Sequence, residues 1–233
     1  MKPGAEEFFV AGGGGVPTVV LLPGWATDGR VFGGLFPGAT TVTTGPLRPE
    51  GFPRRLAACL DRAAVRGPVT LVGWSLGGFL AAEFAREFPE RVRRAILIGI
   101  RKGYPPGDVE EVRNDLLRDR PACLDRFYAR CFFPTRTASF RRFRAGLQKE
   151  YLREMDEATL LSGLSYLAAA RLSGGSLPPC PVDIVHGEKD VVAPVAEAEE
   201  VARESGRARF LSIPGAAHAA FLAEGFRAVA ADA

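Results

Sequence analysis

The sequence predicts an α/β fold, a mostly parallel sheet flanked by helices and interrupted by an all-helical insertion. Two observations carry this. Short apolar runs rich in β-branched residues alternate with longer stretches of helical periodicity up to residue 100 and again after residue 181. That alternation marks strand–helix–strand units whose parallel strands are covered by helices. Between Arg101 and Leu172 the strand signals stop and only helix-spaced apolar residues remain. Residues 1–100 and 173–233 therefore read as one core, and residues 101–172 as a helical lid inserted between its two parts.

In chain order, Glu6–Val10 and Thr18–Leu22 are expected strands, joined by a flexible hairpin turn at Gly12–Gly15. A phosphate cradle would instead lead into a helix opening with Lys-Ser or Lys-Thr, which this run does not do. Thr40–Thr44 is a weaker third strand. Phe52–Val65 has helical spacing, with Leu56, Cys59, Leu60 and Ala63 on one stripe. Val69–Gly73 is an apolar strand that turns sharply at Trp74-Ser75 into a helix from Leu76 to about Phe88, which Pro89 stops. Ala95–Ile100 is the next buried strand. The insertion shows four helical patterns, among them Val109, Val112 and Leu116, then Phe140, Phe143 and Leu147, then Leu160, Leu161, Leu164 and Leu167. The Gly/Pro-rich stretch Ser173–Pro181 returns the chain to the core. Strand Val182–Val185, a helix over about Pro194–Glu204, strand Ala208–Ile213 and a terminal helix from about Ala219 complete the reading.

Composition narrows the function. Thirty basic residues against 27 acidic ones leave +3 overall, so a general nucleic-acid binder is not indicated. No apolar run approaches the roughly 18 residues that cross a bilayer. The stretch Met1–Val10 lacks the basic-then-apolar pattern of an export signal, so a soluble cytoplasmic monomer without a membrane partner is expected. Cys59, Cys123, Cys131 and Cys180 are scattered, as buried reduced thiols would be, and neither a metal nor a cofactor is expected. The chain has only two histidines, His186 and His218.

Gly73-Trp74-Ser75-Leu76-Gly77 has the form G-x-S-x-G, and it falls between a strand and a helix. Such a tight turn exposes the serine hydroxyl at the carboxyl edge of the sheet, at a helix N-terminus that favours developing negative charge. A serine hydroxyl needs a base. In this arrangement the chain order is serine, acid, histidine, and only His218 leaves room for an acid before it. Asp190, in the loop after a strand, would orient the ring. Glu188 in the same loop and Asp183 within the strand compete for that role, and His186 reads as structural. A tetrahedral intermediate also needs N–H donors. These are assigned to Leu76, just after the serine, and to Trp25 in Leu21-Leu22-Pro23-Gly24-Trp25.

Together with His186-Gly187-Glu188-Lys189-Asp190 and Ala216-Ala217-His218-Ala219-Ala220-Phe221, these motifs resemble the α/β-hydrolase superfamily, and within it the pimeloyl-[acyl-carrier protein] methyl ester esterases. The superfamily resemblance spans nearly the whole chain; the narrower one rests on short motifs. Pro23-Gly24 departs from the family's usual His-Gly, and one edge strand of the family sheet is expected to be missing. The resemblance implies a serine carboxylesterase with an acyl-carrier protein as partner. From Arg126 to Arg153 eight basic residues face one acidic residue, +7 locally, and Arg141, Arg142 and Arg144 are the candidate docking residues. A C–C bond hydrolase or lyase of the same fold, or a non-catalytic binding module, stays open, because the fold does not fix the reaction.

Overall fold

The computed structural model describes residues 7–12, 18–133 and 137–231. Its sheet has seven strands in the order β1-β3-β2-β4-β5-β6-β7. They are β1 (Phe8–Ala11), β2 (Thr18–Leu22), β3 (Thr40–Thr44), β4 (Val69–Trp74), β5 (Val92–Ile98), β6 (Val182–Gly187) and β7 (Arg209–Ile213). All neighbouring pairs are parallel except β1 on β3, which is antiparallel.

The pairing of β1 corrects one expectation. β1 lies not on β2 but across β3, with Phe8 opposite Thr44, and Gly45 N–H closing the ladder on the Glu7 carbonyl at 2.9 Å. Gly13–Gly15 and Glu6 lie outside the described residues. A glycine-rich connection is too permissive to specify which strand follows, and β3 offers the exposed edge.

The central strands are buried throughout: all six residues of β4 and of β6 are buried. Parallel strands covered on both faces need such unbroken apolar runs, which is why they stood out in the sequence. Helix α1 (Phe52–Arg62) packs on α2 (Leu76–Glu87), and α2 lies against β4 and β5. The sequence of α2, LGGFLAAEFARE, buries nine residues, its small glycines and alanines letting Phe79, Leu80 and Phe84 reach the sheet. Each such large side chain contributes roughly 1.5–3 kcal/mol on burial.

Between β5 and β6 come α3 (Pro106–Arg118), α4 (Arg120–Phe132), α5 (Ala138–Ala145), α6 (Leu147–Glu154) and α7 (Glu157–Ala169). That is five helices where four patterns were expected. The stripe Phe140, Phe143, Leu147 runs through Gly146, whose backbone (φ −109, ψ −95) breaks α5 from α6. After β6, α8 (Val195–Ser205) packs on β6 and β7. The terminal helix also differs: Ala220–Leu222 form only a 3-10 turn, and α9 begins at Phe226. No helix among the described residues is long and apolar enough to cross a membrane.

Candidate active site

Ser75 sits between β4 and α2 with φ 53 and ψ −115, in a region that side chains rarely occupy. The strain is held by packing on either side. A Cβ on Gly77 would lie 2.1 Å from the Leu22 carbonyl oxygen, so only glycine lets α2 press against the end of β2. The Ser75 N–H donates to the Ile98 carbonyl at 2.8 Å, fixing the turn to β5. The hydroxyl makes no capping bond to its helix, so the serine is not an ordinary N-cap. It is 3% exposed.

His218 lies on the loop after β7, and four contacts fix its place. The Trp74 indole N–H donates to the His218 carbonyl at 3.0 Å, with the two rings 5.4 Å apart. The Ala219 N–H donates to the Cys131 carbonyl of α4 at 3.2 Å. The Lys189 N–H donates to the Ala216 carbonyl at 2.9 Å. Gly187 completes the seat, because a Cβ there would lie 2.2 Å from the Ala217 carbonyl oxygen. The histidine loop and the loop carrying Asp190 are thus laced together by backbone.

His218 Nδ1 donates to Asp190 Oδ2 at 2.7 Å, with both side chains fully buried. The other ring nitrogen, Nε2, then carries the free lone pair, and among the described residues it has no hydrogen-bond partner. Asp190 Oδ1 accepts the N–H groups of Val192 and Ala193 at 2.8 and 2.9 Å. Burial alone would push this carboxyl up. The charge of His218 and hydrogen bonds from both histidines outweigh it and hold Asp190 well below the usual carboxylate range.

Ser75 directly follows Trp74, whose ring packs against His218, but among the described residues no hydrogen bond joins Ser75 and His218. Instead Ser75 Oγ lies 3.4 Å from the hydroxyl of Tyr104, which precedes α3 and which sequence reasoning had not singled out. A lone tyrosine in a helical insertion carries no motif, so nothing in the sequence marks it. Burial pushes its hydroxyl up to about 12, which keeps it a neutral donor or acceptor at physiological pH. The ring rests beneath Arg101, whose guanidinium is 5.0 Å from the ring centre.

The competing acids are otherwise engaged. Asp183 is paired with Arg94 and Arg209, and Glu188 accepts the Gly215 N–H at 3.2 Å. The proposed N–H donors of Trp25 and Leu76 have no backbone acceptor among the described residues. The Trp25 indole, however, is part of the packing. Its N–H donates to the Leu160 carbonyl of α7 at 2.9 Å, and Gly163 of the same helix fits against its edge. A groove of about 1240 Å³ runs past the histidine loop, lined by Phe36, Cys131, Phe132, Arg142, Ala217 and Phe221, but neither Ser75 nor His218 opens into it. Arg136 lies outside the described residues, and Arg126 is paired with Asp115 at 2.7 Å.

Similarity to known proteins fits this geometry. The pattern of the alpha/beta hydrolase fold matches residues 54–224. A pimeloyl-[acyl-carrier protein] methyl ester esterase of Nitrosomonas europaea is 29% identical, over 90% of this chain and 91% of its own length. The protein of that name from Aromatoleum aromaticum is 30% identical, over 88% of this chain and 92% of its own. Among solved structures, an esterase from Exiguobacterium antarcticum superposes with a TM-score of 0.82 at 19% identity, covering 97% of this chain and 94% of that one, a likeness of fold alone. With the family pattern over residues 54–224 and a relative 30% identical over most of both chains, the chain is a hydrolase that belongs to the α/β-hydrolase fold family.

Proposed function

We propose that the protein is a serine carboxylesterase that works through an acyl-enzyme, and that its substrate is the methyl ester of a pimeloyl chain on acyl-carrier protein. The observation that carries the mechanism is the His218–Asp190 pair at 2.7 Å with the lone pair of Nε2 left free, His218 packing on the Trp74 that directly precedes the strained Ser75. Ser75 Oγ attacks the ester carbonyl carbon while His218 Nε2 takes its proton. The negative charge that develops on the carbonyl oxygen is met by the N–H groups of Trp25 and Leu76, each such donor being worth about 100- to 1000-fold in rate. Collapse breaks the bond to methoxide, which leaves as methanol with the proton from His218. Water then attacks the acyl-serine, giving its proton to His218; collapse breaks the bond to Ser75 Oγ, which takes that proton back from His218, and the acid departs, ionising in water.

In this reading α3–α7 form a lid over Ser75, and Tyr104 must release the hydroxyl for His218 to reach it. The names of the relatives support the choice of substrate. The basic face of α5, with Arg141, Arg142 and Arg144, suits an acidic carrier protein. The test compares methyl pimeloyl-carrier protein with short p-nitrophenyl esters. Wild type is expected to hydrolyse both and Ser75→Ala neither, and the wild-type gene is expected to restore biotin-independent growth to a strain lacking the esterase. Changing Arg141, Arg142 and Arg144 to Glu should lower kcat/KM on the carrier-bound ester and spare the small esters. Equal losses on both substrates would remove the docking role, and full activity of Ser75→Ala would remove the mechanism.

A further inference from the structure

The second histidine is not a bystander to the catalytic pair. His186, in β6, is fully buried, and its Nε2 lies 2.8 Å from the Ala193 carbonyl oxygen and 3.2 Å from Asp190 Oδ2. A carbonyl accepts only, so the ring proton resides on Nε2 and is shared between the two oxygens. Asp190 Oδ2 therefore receives two imidazole N–H groups, from His218 at 2.7 Å and from His186 at 3.2 Å. The other nitrogen of His186, Nδ1, has no hydrogen-bond partner among the described residues. A buried polar atom left unpaired costs stability, so packing alone is a poor reason for a histidine here.

We infer that His186 is a positioning residue that acts through Asp190. Its shared N–H fixes the carboxylate against β6 and draws off part of the charge that would otherwise bear wholly on His218. A variant without that N–H would let the whole charge of the carboxylate bear on His218 and favour its imidazolium. Other ionisable groups around the carboxylate do not take this part. The Cys131 thiol of α4 and the Tyr104 hydroxyl are both pushed up by burial and stay neutral, and the Arg101 guanidinium is committed to Glu197 at 2.7 Å.

This inference rests on the proposed mechanism, and its test separates the two. The pH profile of kcat/KM on a short p-nitrophenyl ester is measured for wild type, His186→Leu and His186→Gln, alongside thermal unfolding of each. Glutamine can return an N–H to the same place; leucine cannot. The acid limb of His186→Leu is expected to move up by about 0.5–1 pH unit, roughly a three- to tenfold loss of kcat/KM on the acid side of that limb, while His186→Gln stays close to wild type. An unmoved limb in a folded His186→Leu protein, or equal limbs for the two variants, would overturn the inference. If His186→Leu does not fold, the comparison of His186→Gln with wild type and with His186→Asn, whose shorter amide falls short of Oδ2, decides in the same way. Loss of the acid limb from wild type itself, or activity in Ser75→Ala, would count against the mechanism instead.

Discussion

Replacing Asp190 by asparagine keeps its size and changes its hydrogen-bonding character, which makes it a sharp test of the relay. The carboxylate is met by four N–H groups: Val192 and Ala193 on Oδ1, His218 and His186 on Oδ2. An amide has one oxygen and one NH2 group. If the oxygen faces the two backbone groups, the NH2 meets His218 Nδ1–H at a distance built for an acceptor. The ring then relieves the clash only by moving its proton to Nε2, the nitrogen that must receive the proton of Ser75. If the amide is reversed, its NH2 faces the two backbone donors and the loop 190–193 is left mismatched. Either way the base is in the wrong tautomer or the loop is destabilised. The loss expected from a wrong tautomer is about 10⁴-fold in kcat, or roughly 5.4 kcal/mol at 1.36 kcal/mol per decade. Steady-state hydrolysis of p-nitrophenyl acetate, with circular dichroism to show that the variant is folded, measures it. A folded Asp190→Asn protein within tenfold of wild type would refute the assignment of this carboxylate.

Three further outcomes follow from the same structure. Ser75→Gly relieves a backbone strained at φ 53, so its Tm should rise, by the equivalent of about 1 kcal/mol, while hydrolysis disappears; a lower Tm would show that the hydroxyl supports the fold. Gly77→Val places a side chain 2.1 Å from the Leu22 carbonyl oxygen and should yield no soluble, cooperatively unfolding protein, as a thermal melt would show. Because the folded-state pKa of Asp190 is depressed, its carboxylate contributes stability above its unfolded value of about 3.9. That contribution fades as pH falls below this value, so urea titrations should show the gap between wild type and Asp190→Asn widest near neutral pH and narrowing below pH 4.

The members of the proposed relay were legible because each sits on a short local signal. Ser75 follows an apolar strand and precedes a helix, and the loops of Asp190 and His218 each follow a strand. What the sequence hid were contacts between elements. His186 was set aside as the base because Asp190 follows it by only four residues, yet that closeness is what lets the two side chains touch. Tyr104 reaches Ser75 from a connection with no periodicity to read. The break at Gly146 escaped notice because Phe143 and Leu147 keep helical spacing across it, and β1 was given the wrong neighbour because glycines carry no pairing information.

The short loop after β2 serves two masters. Trp25 holds the Leu160 carbonyl, the Ala26 carbonyl receives the Tyr128 hydroxyl at 2.6 Å, Asp28 receives that of Tyr151 at 2.9 Å, and Arg30 bridges to Glu154 at 3.0 Å. Helices α4, α6 and α7 are moored at the stretch that presents one of the two amides proposed to face the oxyanion. Exchanging residues 101–172 for the cover of another enzyme would therefore disturb the amide at position 25, and a working chimaera must carry residues 25–30 along with the graft.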